Sequence, residues 1–196
     1  MGRPTLDESR DTRLALMDAA MELLQTVGFN SFSYQDLADR LSIKKASVHY
    51  YYPSKEDLGE GLLERSVGRF QGWMEQMNSQ KLSASEELNA YFEYFARVSN
   101  EGQKVCPCGQ LVSEWKTLSH KLQNAVTRLL KLHQSWLVKT LEKGQKSGEF
   151  SKSVSPEEQS QYIYSSIQGA LQTARALQSP KAFRTITQQI ANGVKA

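Results

Sequence analysis

Apolar residues recur every three or four positions along most of the 196-residue chain, which is the spacing of an amphipathic α-helix. Leu16, Ala20 and Leu24 follow this spacing near the N-terminus, and Leu122 and Val126 follow it further along. Proline is scarce, and the chain is long enough to bury a core. The pattern therefore predicts an all-α fold of about nine helices.

Capping residues set the expected ends of these helices. Gly28 follows the first apolar stripe, as a C-cap glycine commonly does. Ser33 and Ser54 each precede an aspartate by three residues, which resembles a capping box. Pro156 suits the first position of a late helix. The predicted helices cover approximately residues 7–27, 33–41, 44–51, 55–77, 83–100, 106–115, 119–146, 155–178 and 180–193.

Residues 33–52 read as two short helices joined by a turn at Ser42-Ile43, with Pro53 ending the second. This is the helix-turn-helix plan, in which the second helix lies in the DNA major groove. Amines, hydroxyls and an imidazole suit contacts to phosphates and base edges, and a small residue allows close backbone approach. The alternative is a helical interaction module whose basic face is only solvated. The candidate DNA contacts are Arg3, Ser33, Lys44, Lys45, Ala46, Ser47, His49, Tyr50, Tyr51 and Lys55.

Charge changes this picture in one respect. The whole chain carries a formal net charge of +3, but residues 1–60 contain seven Lys or Arg and ten Asp or Glu, a net of −3. Any attraction to DNA must therefore be local, from Lys44, Lys45, Lys55 and Arg3. Arg3 would reach DNA as a flexible arm, and the alternative for it is a solvated terminus without a DNA contact.

The stretch from Gly28 to Leu58 resembles the signature of TetR/AcrR-type transcriptional repressors. The resemblance rests on Gly28-Phe29, Asp36-Leu37-Ala38, Lys45-Ala46-Ser47-Val48 and Tyr51-Tyr52-Pro53-Ser54-Lys55-Glu56. Lys44, Ala46 and His49 stand where the family usually has Ser, Gly and Tyr, so the DNA sequence preference is open. The resemblance implies a homodimer that binds a palindromic double-stranded operator. Residues 1–60 would form the DNA-binding domain and residues 61–196 a helical domain for effector binding and dimerisation.

Two apolar stripes on the last two predicted helices are candidates for the dimer interface. Small residues in the first stripe would allow close helix approach, and the family resemblance favours a four-helix bundle between two protomers. The alternative is that both stripes only close the core of one chain. The candidate interface residues are Ile163, Ile167, Ala170, Leu171, Ala174, Phe183, Ile186 and Ile190.

The chain has two cysteines, and both lie in the tripeptide Cys106-Pro107-Cys108. With Pro107 at the first helical position, Cys106 becomes the N-cap, where a helix N-terminus lowers a thiol pKa. This segment partly resembles that of the N-ethylmaleimide-responsive TetR repressors, so both cysteines are candidate redox or electrophile sensors. Alternatives are small buried residues or a thiol oxidoreductase. A zinc site with His120 fits no usual ligand spacing, so no metal is predicted.

Aromatic and apolar residues of the C-terminal part predict a pocket for a small apolar or electrophilic effector. The alternative for each of them is ordinary core. No catalytic constellation, cofactor motif or long apolar run is evident, so the expectation is a cytoplasmic non-enzyme without cofactor or membrane span. The candidate pocket residues are Phe70, Trp73, Met74, Tyr91, Phe92, Phe95, Trp115, Leu129, His133 and Trp136.

Overall fold

The structure is a computed structural model that describes residues 6–99 and 102–196, with side chains from residue 11 onward. Arg3, a predicted DNA contact, lies outside the described residues. The described chain forms nine α-helices and no β-strand beyond one isolated bridge between Phe150 and Lys195, which confirms the all-α prediction. The helices are α1 Leu6–Thr26, α2 Tyr34–Arg40, α3 Lys45–Tyr51, α4 Lys55–Asn78, α5 Ala84–Ser99, α6 Pro107–Ser113, α7 His120–Ser147, α8 Pro156–Ala176 and α9 Pro180–Gly193.

Helices α1 to α3 pack together around fully buried Leu16, Leu37 and Val48. The Ser33 hydroxyl accepts from the Asp36 amide, and the Asp36 carboxylate accepts from the Ser33 amide, so the predicted capping box is present. Ser54 and Asp57 repeat this arrangement at the start of α4. The first helix is one residue shorter than the predicted range 7–27: α1 ends at Thr26, and Val27 beyond it is 50% exposed.

The C-terminal part is built on α7, which packs against α4, α5 and α8, while α9 covers α8 and α5. Its centre is a cluster of rings that includes Phe70, Tyr91, Phe95, His133 and Trp136. Phe70 and Tyr91 are fully buried. The candidate pocket residues therefore lie mostly on the inward faces of α4, α5 and α7.

The residues predicted to form the dimer interface belong instead to the core of the single chain. The physical reason is that the most apolar face of each helix packs between α5, α7, α8 and α9. Ile186 is half-buried, and the others are buried within the protomer: Ile163, Ile167, Ala170, Leu171, Ala174, Phe183 and Ile190. Large side chains outside this buried face remain exposed: Tyr162 of α8 is 56% exposed, and Leu177, the C-cap residue of α8, is 65% exposed.

No helix in the described part of the chain combines the length and the hydropathy that crossing a membrane requires.

Candidate functional site

The outer surface of α3 carries most of the predicted DNA contacts. Lys44 is the N-cap with extended backbone, and Lys45, Ala46 and His49 are exposed. Tyr50 is 71% exposed, whereas Val48 on the opposite face is fully buried and anchors the helix. A short helix therefore presents two amines, an imidazole and a phenol on one side.

Hydrogen bonds and ring contacts hold this surface in place. The Tyr34 hydroxyl donates to the Tyr52 carbonyl at 2.9 Å, and burial raises the pKa of Tyr34 to about 12. The His49 ring meets the Tyr34 ring edge-on at 4.7 Å. Tyr50 contacts half-buried Tyr51 in the same manner at 5.1 Å. Each exposed ring thus rests on a second ring, which limits its rotamers before any contact with DNA.

Two of the predicted contacts have internal roles in the structure. Ser33 caps α2 through its hydroxyl. The Lys55 ammonium donates to the Phe32 carbonyl and lies 4.5 Å from the centre of the Phe32 ring and 5.0 Å from that of Phe29. Burial lowers the pKa of Lys55, while the Glu114 carboxylate acts in the opposite direction. The expectation of an outward-pointing Lys55 is therefore not met, because this amine satisfies a carbonyl of its own domain.

A cavity of about 320 Å³ lies where α1 meets α4, α5, α7 and the segment before α6. Buried side chains form its floor, and exposed arginines mark its mouth. Val98 and Pro107 complete the wall. Met21 and Gln25 of α1, which belongs to the N-terminal helix-turn-helix part of the chain, also line it. The remaining lining residues are Ser66, Arg69, Trp73, Tyr94, Phe95, Arg97, Cys106, Leu129 and His133.

The structure brings only part of the predicted pocket set to this cavity. Trp73, Phe95, Leu129 and His133 line it. Met74 and Trp136 line a second hollow of about 290 Å³, and Phe70, Tyr91 and Phe92 are buried in the core. Trp115 is 38% exposed in a 3₁₀ helix, Trp115–Thr117, away from both. Sequence reasoning missed Arg69, Arg97, Tyr94 and Gln25, because charged or polar side chains carry no apolar periodicity.

His133 is the buried polar group at the floor of the cavity. Its Nδ1 lies 3.1 Å from the Tyr91 hydroxyl, and its ring lies 3.8 Å from that of Phe70, centre to centre. Burial lowers the pKa of His133 to about 3, so the ring is neutral at neutral pH. The floor is therefore uncharged and largely aromatic.

Both cysteines are free thiols, and both are buried. Cys106 is the N-cap of α6, as predicted, but burial raises its pKa and the amides of Gly109 and Cys108 offset this only in part. Burial raises the pKa of Cys108 to about 12. The expectation of an accessible, acidic thiol is therefore wrong, because desolvation outweighs the N-terminus of a short helix. An oxidoreductase would need the accessible thiolate that neither residue offers.

The segment that contains Cys106 is also bonded to the helix-turn-helix part. The Glu114 carboxylate accepts from the backbone amides of Phe29 and Asn30, both at 2.8 Å. Gly28 makes room for it: a Cβ there would lie 2.6 Å from Glu114 Oε1, and its φ of +104° favours glycine. We call these two bonds the Glu114 clamp. Gln25, on the cavity wall, adds two more bonds: its side-chain amide donates to the Val105 carbonyl at 3.1 Å, and the Val105 backbone amide donates to the Gln25 carbonyl at 3.3 Å.

Residues 16–62 match the family of bacterial regulatory proteins described as the tetR family, and residues 84–190 match the tetracyclin repressor-like C-terminal domain. The chain belongs to the TetR family. It is a DNA-binding transcriptional regulator, with the helix-turn-helix in its N-terminal part. The second match covers α5 to α8 and most of α9, and therefore includes the cavity walls contributed by α5, α7 and the segment around Cys106.

Individual regulators are similar over most of the chain. The fatty acid metabolism regulator protein of Bacillus subtilis is 22% identical over 169 residues, 86% of each chain. The regulator EthR of Mycobacterium tuberculosis is 29% identical over 131 residues, 61% of each chain. The fold matches a TetR-family regulator from Agrobacterium tumefaciens with a TM-score of 0.90 at 24% identity, covering 96% of this chain and 100% of that one.

Proposed function

We propose that this TetR-family regulator is a repressor that binds a palindromic operator as a homodimer and leaves it when the cavity is occupied. The observation that carries the DNA half of the proposal is the exposed polar side of α3, anchored on its other side by fully buried Val48. We place the domain boundary inside α4, so that residues 1–60 bind DNA and residues 61–196 bind the effector and the second protomer.

The proposed contacts divide by chemistry. Lys44 and Lys45 bind phosphates, while His49 and Tyr50 reach base edges or neighbouring phosphates, with Ala46 allowing close approach. Ser47 and Tyr51 are half-buried and contribute through the atoms that remain accessible. Lys55 supports the loop before α2 rather than a phosphate. This division assigns the operator affinity to two lysines per protomer.

Dimerisation uses the outer faces of α8 and α9 in this proposal. Tyr162 on α8 and Leu177 at its C-cap are large exposed side chains, and a Cβ at Gly169, between them in sequence, would meet nothing within 4 Å. A two-fold axis along these faces would give two reading helices. The operator half-sites would then lie about 34–36 Å apart, one turn of DNA.

Release from DNA follows from where the cavity lies. A ligand there touches Met21 and Gln25 of α1 as well as Cys106, and Cys106 belongs to the same segment as the Glu114 clamp. A ligand that fits better when α1 and this segment separate shifts the population toward a state in which the half-site spacing is wrong.

The test is fluorescence anisotropy with DNA from upstream of the protein's own gene, over a series of salt concentrations. Lys45→Ala should weaken binding and lower the slope of log affinity against log salt by about 1.8, since a dimer loses two phosphate contacts of about 0.9 each. Lys131→Ala, an exposed lysine on α7, is the matched control. Equal slopes for Lys45→Ala and the wild type would rule out the phosphate role of α3.

A further inference from the structure

The charges around the cavity all have one sign. Among the lining residues that the structure describes, Arg69 of α4 and Arg97 of α5 are cationic, and there is no aspartate or glutamate. His133 is neutral, and the Cys106 thiol is protonated because its pKa is raised. A ligand in this cavity therefore meets two positive groups at the mouth and an uncharged interior.

Both arginines keep hydrogen-bonding capacity for such a ligand. The Arg69 guanidinium is 3.9 Å from Asp18 Oδ1, an atom held more closely by Arg65 at 2.5 Å. The Arg97 Nε donates to the Glu93 carbonyl at 3.4 Å, a bond within its own helix. A guanidinium has five N–H donors, so these contacts leave several on each arginine. The arginine fork matches the two oxygens of a carboxylate.

The interior suits an apolar body. Trp73 and Tyr94 stand with ring centres 5.4 Å apart, and Phe95, Leu129 and the His133 ring continue the wall. Burial raises the pKa of the Tyr94 phenol, and the positive charge of Arg69 partly offsets this rise. The electrostatic field of the arginine at the mouth therefore reaches the aromatic wall. The volume of about 320 Å³ is at the lower end of the range for small-ligand sites.

We propose that the cavity binds an apolar monocarboxylate, with the carboxylate held between Arg69 and Arg97 and the apolar body against the aromatic wall. This names the chemical class of the effector and rests on the proposed function only for its effect on DNA. A cationic ligand would face the repulsion of both guanidiniums. A neutral ligand of the same shape would lose the charge-assisted hydrogen bonds but keep the apolar contacts.

The experiment is calorimetric titration of the full-length protein, without DNA, with two matched pairs: 2-naphthoate against 2-naphthamide, and decanoate against decanamide. We expect at least one carboxylate to bind about ten-fold or more tightly than its amide, since a hydrogen bond to a charged group contributes about 1.5–3 kcal/mol. Arg69→Gln and Arg97→Gln should each remove most of that preference and leave amide binding unchanged. Arg128→Gln, an exposed arginine on α7 that does not line this cavity, should behave as the wild type.

The proposal is overturned if neither carboxylate binds, if each amide binds as tightly as its acid, or if the two cavity variants keep the preference. Arg69 and Arg97 are exposed, so both variants should melt within a few degrees of the wild type, which circular dichroism verifies. Anisotropy with operator DNA forms a separate arm. Loss of carboxylate binding with intact operator binding refutes this inference alone, whereas absent operator binding refutes the proposed function and leaves the calorimetric result standing.

Discussion

The DNA-reading surface and the cavity are built in opposite ways. The first comes from one continuous stretch, residues 33–52, whose capping box, turn and anchor residue are all local. The second takes its walls from five segments that stretch from Met21 on α1 to His133 on α7. A local site keeps its chemistry when its surroundings move, whereas a site assembled from distant parts changes whenever they do. This difference suits a regulator in which the DNA-binding surface keeps its shape while the effector cavity changes shape.

The two regions also differ in how their ionisable groups are used. On the DNA side, hydrogen bonds from Ser33 and Ser54 lower the pKa values of Asp36 and Asp57, so both carboxylates stay charged. On the cavity side, burial keeps Tyr91, Cys106 and His133 neutral. Ionised carboxylates therefore cap helices on the DNA-binding side, whereas the buried ionisable groups near the cavity are uncharged. Substitutions at the contacts between the two regions, and within each region, measure how far they are independent.

The Glu114 clamp and the Gln25–Val105 pair both link the two regions, and breaking the clamp should have the largest effect. Glu114→Gln removes the charge and leaves one oxygen for two amides, at Phe29 and Asn30. Since bonds to a charged acceptor contribute about 1.5–3 kcal/mol each, we expect a loss of about 2–3 kcal/mol in the free energy of unfolding. Urea denaturation measures this loss, and amide hydrogen exchange at residues 29 and 30 should accelerate.

Glu142→Gln, on the exposed side of α7, is the matched control for that loss of charge. It should change the unfolding free energy by less than about 0.5 kcal/mol. If Glu114→Gln proves equally mild, the two regions are joined mainly by apolar packing, and the proposed route of release through the clamp is wrong.

The buried imidazole gives the cavity region a pH dependence of its own. The pKa of His133 is about 3 in the folded protein, against about 6.5 for an unperturbed histidine, so the unfolded chain binds the proton first as the pH falls. Stability is therefore lost on acidification from about pH 6.5. The single-site linkage amounts to about 2 kcal/mol by pH 5. His133→Gln cannot titrate and should reduce this loss in urea denaturation measured from pH 7 to pH 5.

The other groups with shifted pKa values do not titrate in the folded protein between pH 7 and pH 5. The phenols of Tyr91, Tyr94 and Tyr164 and the two thiols have raised pKa values, so they stay protonated throughout. Asp36, Asp57, Glu86 and Glu149 have lowered pKa values and titrate below it. His120→Gln, an exposed histidine at the start of α7, is the control. An unchanged acid slope in His133→Gln would contradict the assignment.

The comparison also explains what the sequence could predict. The helix boundaries, the capping boxes and the outward face of α3 depend on neighbours in sequence, and the structure agrees with them closely. The cavity depends on which distant residues meet, so Trp115 was included although it lies on the surface, and Arg69 and Arg97 were missed. Gly28 is visible in the sequence as a helix-ending residue, but nothing local connects it to Glu114.

Burial accounts for two further differences. An apolar stripe indicates that a helix face is covered but does not say by what, so the sequence leaves both a partner and the same chain as candidates to cover the stripes of α8 and α9, and in the structure the same chain covers them. The N-cap position of Cys106 predicts an acidic thiol, but its desolvation depends on distant helices, among them α1, α4 and α7, which pack against α6. Both differences arise because burial depends on tertiary packing and not on neighbours in the sequence.

Lys45 and Lys55 are assigned different roles, and substituting each of them tests this assignment. The expected change in stability is the smallest of those considered. Lys55→Met keeps the aliphatic stem beside the Phe29 and Phe32 rings but removes the ammonium that donates to the Phe32 carbonyl. We expect a loss of about 1 kcal/mol in the free energy of unfolding, from one hydrogen bond and partly exposed cation–π contacts. The salt slope of operator binding should stay at the wild-type value, because no phosphate contact is lost. Lys45→Ala should do the reverse, with a lower slope and unchanged stability. If Lys55→Met lowers the slope as much as Lys45→Ala does, Lys55 leaves its carbonyl on binding and becomes a phosphate contact, and the reading surface extends beyond α3.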